Sequence, residues 1–170
     1  MPIPEINEDQ AGNESDNIRT HYIKRVSFYL LFLLLIPFAY YVTASQEGLP
    51  QWVKFNQLLV ECVLFGLLGG TTYCLRAVYL NRCVRNQWVP RWVMWYLLRP
   101  VVSMIMGGIT YFIINIGLIT LGSSGIGNTN YVFFVLAFFA GLNVDGFLKR
   151  FESQISKSTG VKVSNQSLGK

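Results

Sequence analysis

Between Arg99 and Asp145 the chain carries no charged side chain. A soluble fold is hard to build from such a sequence, because charged residues make up about a quarter of an ordinary globular domain and are spread along it. Here they make up 14% of 170 residues and are clustered, while 52% of residues are hydrophobic and 15% aromatic. The composition reads as an all-α integral membrane protein. No water is available in the hydrocarbon core to pair with backbone N–H and C=O groups, so the apolar stretches must cross as helices.

A crossing needs ~20 mainly apolar residues, since each helical residue rises about 1.5 Å. Four segments meet that measure: residues 26–45, with a kink expected at Pro37; 57–80; roughly 96–122; and 131–147. The uncharged, glycine-rich GSSGIGNTN (122–130) separates the last two. The expected architecture is a four-transmembrane-helix bundle over residues 26–147. An acidic cytoplasmic tail (1–25) precedes it, and a basic cytoplasmic amphipathic helix and tail (148–170) follow. Residues 1–17 hold Glu5, Glu8, Asp9, Glu14 and Asp16, too polar a stretch to offset its own ordering entropy, so disorder is expected there. A solubilising tail fits best, with a docking arm as the alternative. No secretory signal peptide is expected, because the apolar run starts late and is long.

Lys and Arg set the orientation, since they accumulate on the cytoplasmic side. Arg19, Lys24 and Arg25 precede the first span, and Arg76, Arg82, Arg85, Arg91 and Arg99 surround the connection between the second and third. Lys149, Arg150, Lys157, Lys162 and Lys170 follow the fourth, leaving only Lys54 on the other side. Both termini are therefore expected in the cytoplasm, in what reads as a bacterial inner membrane. Aromatics frame the same picture: Tyr40, Tyr41, Trp52 and Tyr131 outside, Tyr22, Tyr79, Trp88, Trp92 and Trp95 inside. The net charge of +5 then answers to anionic lipids of the inner leaflet rather than to nucleic acid.

Helices associate in lipid by close approach at small residues. Gly66 and Gly70, Ser103 and Gly107, and Ala137 and Gly141 are four-residue pairs in three consecutive spans. They predict a tight bundle, with contacts either within one chain or between copies. The small interior of a four-helix subunit favours a homo-oligomer.

Few polar groups interrupt the spans. Glu61 falls a turn inside the outer end of the second. The structural reading is a carboxylate reaching interfacial water or Lys54, and the functional one is a ring lining a cation path. Asn115 is expected to bond across helices and make packing specific, or else to contribute to such a path. Arg99 and Asp145 stand at the cytoplasmic ends of neighbouring antiparallel helices, a placement that predicts a bidentate ion pair acting as a structural latch. A gate or proton site is the alternative for Asp145. Pro100 suits a first helical turn. Past Asp145 the helix is expected to continue, with Phe147, Leu148, Phe151 and Ile155 on one face and Lys149, Arg150 and Glu152 opposite.

The connection between spans two and three, RCVRNQWVPRWVMWYLL (82–98), places Trp88, Trp92 and Trp95 on one stripe of a helix beginning near Pro90. With Arg82, Arg85 and Arg91 it forms an interfacial segment suited to gripping lipid phosphates, or to docking a cytoplasmic partner.

Catalytic signals are weak. GSSG (122–125) matches the GxSG signature of rhomboid-type proteases, but that chemistry needs a His near the Ser, and the single His21 lies before the first span. Cys62, Cys74 and Cys83 contain no CxxC, so neither a disulfide framework nor a metal site is implied, and no cofactor is expected.

From YLLRPVVSMIMGGITYFI through VLAFFAGLNVDGFLKRFE, the chain resembles uncharacterised small bacterial four-span inner-membrane proteins. In these an Arg-Pro opens one span and an AGxxxD-like exit ends the next. The resemblance marks Arg99, Pro100, Gly141, Asp145 and Phe147 and carries no catalytic residues. The architecture, though no motif, is also similar to membrane subunits of antiphage defence systems such as Kiwa. The expected function is a non-enzymatic oligomeric membrane subunit that anchors, recruits or senses for a cytoplasmic partner. The alternative is a homo-oligomeric channel or membrane-disrupting pore.

Overall fold

The computed structural model describes residues 8–46, 48–85, 89–121 and 130–159. Its regular structure is helical throughout, with no strand among the described residues. The elements are α1 (Glu8–Ser45), α2 (Gln51–Phe55), α3 (Gln57–Tyr79), a π turn (Leu80–Val84), a 3-10 turn (Pro90–Trp92), α4 (Val93–Leu121), α5 (Asn130–Leu142) and α6 (Val144–Thr159). Three stretches are long and apolar enough to cross a membrane: Arg19–Ser45, Gln57–Val84 and Val93–Ile116. A fourth is reached if α5 and α6 count together as one span. This is a helical membrane protein.

α3 is the central helix, packed against α1, α4 and α5. Towards the Arg-rich end, α1 inserts Val26 and Leu30 against Cys74 and Val78 of α3 and Tyr96 of α4. Nearer the other end, Cys62 of α3 meets Phe133 and Ala137 of α5, and the Phe65 and Phe134 rings stack at 4.8 Å. Phe28, Leu31, Phe32, Leu35 and Phe38 on α1 are exposed, an apolar surface of the kind that helices present to lipid.

Three sequence expectations change. The acidic segment expected to be disordered is helical from Glu8, and α1 reaches Ser45 without interruption. Each added residue of an existing helix gains a hydrogen bond without a new nucleus, so the apolar span can extend its helix back even through the Asp, Asn, Ser and Gly of residues 8–18, which are poor helix formers on their own. Residues 1–7 lie outside the described set. Pro100 is not in a first turn, because α4 starts upstream at Val93. The proline at the helix entrance is Pro90, which opens the 3-10 turn leading into α4.

The largest change is in the fourth apolar segment. The helix does not run on through Asp145: α5 stops at Leu142, and α6 leaves at 105°. Asn143 accounts for the break. Its N–H closes the last turn of α5 on the Phe139 carbonyl at 3.0 Å. Its side-chain Oδ1 accepts the Gly146 N–H at 3.1 Å, the arrangement of an N-cap on the new helix. Asp145 lies in the first turn of α6, where a negative charge suits the helix dipole. With 13 residues, α5 alone extends about 20 Å against a ~30 Å hydrocarbon core, so any fourth crossing is made by the bent α5–α6 pair and not by one straight helix. Among the described residues, no helix continues α5 along the α3–α4 groove below the break.

Candidate functional site

Five of the six small residues singled out by spacing meet at one junction inside a single chain, and the sixth, Ala137, is buried beside Cys62 and Phe133. A methyl group on Gly66 would strike the backbone of Ser103 and Gly107, one on Gly107 the Cys62 carbonyl, and one on Gly141 the backbone of Gly66. A methyl on Gly70 would strike the Ser103 side chain, and Ala137 is fully buried. Gly69, absent from the six, is equally tight against Phe138 and Leu142. Ser103 completes the junction, its hydroxyl lying 2.9 Å from the Arg99 carbonyl of its own helix and 3.0 Å from the Gly141 carbonyl of α5.

One turn toward the Arg-rich end, Arg99 and Asp145 are joined. Arg99 Nη1 donates to Asp145 Oδ2 at 2.8 Å. The contact is through one nitrogen rather than the bidentate fork expected. Arg99 is buried, 7% exposed, while Asp145 remains 73% exposed. The guanidinium carbon also lies 5.0 Å from the Tyr73 ring centre and 5.5 Å from that of Trp95. Two aromatic faces and a carboxylate thus hold one cation among three helices, α3, α4 and α6.

Below this cluster opens a cavity of ≈ 520 Å³, bounded by Tyr73, Arg76 and Asn81 on one side and Trp92, Trp95 and Tyr96 on the other, with Arg85 at its edge. On α3, residues 62, 66, 69, 73 and 76 follow a single helical face at three- and four-residue steps, continued by Leu80 at the start of the π turn; on α4 so do 107, 103, 99 and 96, continued by Trp92 in the 3-10 turn. The upper part of each face carries α5. The lower part lines the cavity. Asn81 Nδ2 donates to Tyr96 Oη at 3.1 Å, tying the π turn to α4 across the base.

The Trp/Arg segment is only partly as expected. Trp92, Trp95 and Arg85 line the cavity; Arg82 is half-buried and Arg91 exposed, and neither lines it. Trp88 lies outside the described residues. Trp95, expected on the interfacial stripe, packs edge-on to Tyr96 at 5.1 Å and against Arg99 while remaining 40% exposed. Arg76, Asn81 and Tyr73 were not singled out as site residues by sequence reasoning. Their signal was present: Tyr73, Arg76 and Leu80 extend the glycine face of α3 by one turn after another.

Glu61 and Asn115 have separate partners. Glu61 is 8% exposed and borders an open groove of ≈ 510 Å³ with Tyr41, Phe65 and Tyr131. Its Oε1 accepts from Gln57 Nε2 at 2.9 Å, one turn back on its own helix, rather than pairing with Lys54. Asn115, expected to bond across helices, donates to the Tyr111 carbonyl on its own helix at 3.0 Å. A back-bond of this kind satisfies the amide without a neighbour and so adds no specificity between helices. Among the described residues no three His, Cys, Asp or Glu side chains gather as a metal site; Cys62 and Cys74 are buried and Cys83 is exposed. The GSSG turn lies outside the described residues. Compared with known proteins, the chain matches no family model, no curated protein and no solved structure.

Proposed function

We propose that the chain is a non-enzymatic membrane subunit with four crossings and both termini in the cytoplasm. In this reading it associates with copies of itself and presents α6 to a cytoplasmic partner. The observation that carries the reading is the 105° break at Asn143, which turns an amphipathic helix away from the bundle axis. Its first turn is held by the Arg99–Asp145 pair, so the direction of α6 is tied to the packing of α3 and α4. Lys149 and Arg150 are exposed on it, available to an acidic surface or to anionic headgroups. Nearly all the basic residues fall on the side where α6 leaves, which supports the inward orientation. The architectural resemblance to defence-system subunits suggests antiphage defence as the setting, measurable as phage sensitivity on gene deletion.

The test has two parts. Single cysteines at Gly48 and Ser153, in a background without native cysteines, should be labelled from opposite sides of the membrane. Labelling from the same side overturns the topology. Crosslinking in membranes should give oligomers, and a cytoplasmic protein that co-purifies with the native chain should be lost with Lys149→Glu/Arg150→Glu.

A channel reading is favoured by one observation, a buried carboxylate at Glu61 beside an open groove one turn inside the end of α3. Current across planar bilayers that falls with Glu61→Gln would favour it over the scaffold. Silence of the native protein removes it.

A further inference from the structure

We propose that the cavity below the α5–α6 break is a binding site for the headgroup of an anionic phospholipid of the cytoplasmic leaflet. The proposal rests on the inward orientation of this end of the bundle and not on recruitment of a partner.

The cavity has the size of a ligand site, ≈ 520 Å³, and an amphipathic lining. Trp92 and Trp95 are each 40% exposed and, with Leu80, give an apolar wall against which a glycerol backbone and the start of an acyl chain can lie. Arg76 and Arg85 supply two guanidinium groups, each with planar donors matched to phosphate oxygens. Neither makes an ion pair within the described residues. Two like charges facing one cavity repel each other unless an anion lies between them, and a phosphate diester is the anion most abundant at this depth.

The π turn is what brings the second cation there. Arg85 follows Arg76 by nine residues, which on an unbroken α-helix would put it on the opposite face. The turn at Leu80–Val84, closed by the Arg85 N–H on the Leu80 carbonyl at 2.9 Å, changes the winding, and both residues border one cavity. Insertions of this kind recur at functional sites because they re-aim side chains at the cost of regular hydrogen bonding. The Asn81–Tyr96 bond fixes the turn against α4. The cavity is lined by residues of α3, the π turn, the 3-10 turn and α4, so it lies between helices, where a membrane lipid can reach it without leaving the leaflet. Basic pockets of this sort between spanning helices favour anionic over zwitterionic lipids.

The experiment is native mass spectrometry of the full chain released from nanodiscs of phosphatidylglycerol or of phosphatidylcholine. One phosphatidylglycerol retained per chain is expected, and phosphatidylcholine should be retained about tenfold less. Arg76→Gln/Arg85→Gln should lower retention of phosphatidylglycerol to the phosphatidylcholine level, while Arg91→Gln, outside the cavity, should leave it unchanged. Equal retention of the two lipids by the native chain overturns the proposal and needs no variant, so a misfolded double variant does not protect it. Retention unaffected by the double change, or equally reduced by Arg91→Gln, also overturns it. Excess inorganic phosphate or glycerol phosphate should not displace the lipid. Displacement would reassign the pocket to a soluble phosphate compound and overturn the lipid assignment. The labelling at Gly48 and Ser153 reports separately on the orientation.

Discussion

The Ser103 hydroxyl of α4 lies 3.0 Å from the Gly141 carbonyl of α5, at the point where the backbone of α5 comes closest to Gly66 of α3. One hydroxyl therefore reports on the meeting of three helices. Hydrogen bonds between membrane helices average only about 0.6 kcal/mol, so Ser103→Ala should lower unfolding stability in detergent by about that amount. Ser103→Leu should cost far more, because the side chain faces Gly70 with no room to spare. Thermal or denaturant unfolding followed by circular dichroism would separate the two. Equal effects would mean that the helices do not approach as described.

The glycines themselves predict a steeper pattern. Gly141→Ala places a methyl against the Gly66 carbonyl, a contact that only movement of a whole helix can relieve. Overpacking of this kind costs about 1–3 kcal/mol. Gly108→Ala is the control, since its methyl would meet only Val63 Cγ2 at 3.5 Å, an ordinary contact. It should change stability by less than about 0.5 kcal/mol. The same unfolding measurement checks both, and a tolerated Gly141→Ala would contradict the close crossing.

The Arg99–Asp145 pair is asymmetric, and its variants should be too. Asp145 is 73% exposed, so Asp145→Asn loses a screened interaction worth at most about 1 kcal/mol. Arg99 is 7% exposed and lies against Tyr73 and Trp95. Arg99→Lys retains the charge yet loses the planar stacking, and it should be more damaging than Asp145→Asn. Arg99→Glu should disrupt the folded bundle, and adding Asp145→Arg should restore part of it. The readout is the fraction of monodisperse protein after extraction. A double variant no better than the single would show that the contact does not hold α6.

The sequence made some of these relationships readable and hid others, for physical reasons. Gly66, Gly70, Gly107 and Gly141 stood out because lipid offers helices no hydrophobic reason to associate, so only small residues mark the contacts. Their spacing could not say whether the partner was the same chain, and the structure places the contacts within it. Arg99 and Asp145 could be paired because they bound a long uncharged interval at one depth. The break at Asn143 was hidden by its surroundings: apolar residues on both sides supplied enough length for one span. Its local signal, an Asn followed by Asp145 and Gly146 in a first turn, is short beside a run of Phe, Leu and Ala. Arg76 was hidden because its charge was used for orientation, which does not depend on the face it occupies.

Asn143 offers the most direct test of the architecture. It ends α5, caps α6 through Gly146 N–H, and is exposed, so its side chain does little else. Asn143→Leu removes the cap, worth about 0.5–2 kcal/mol, and supplies a residue that favours unbroken helix. The two helices should then straighten toward one rod. Spin labels at Val132 and Ser153 lie on arms of about 16 Å each at 1.5 Å per residue. Folding those arms through 105° rather than laying them straight shortens the separation by about 12 Å. Electron–electron distance measurements should therefore give a longer distance in Asn143→Leu than in the native protein. A native distance already at the straight value would remove the break, and with it the uncovered cavity between α3 and α4.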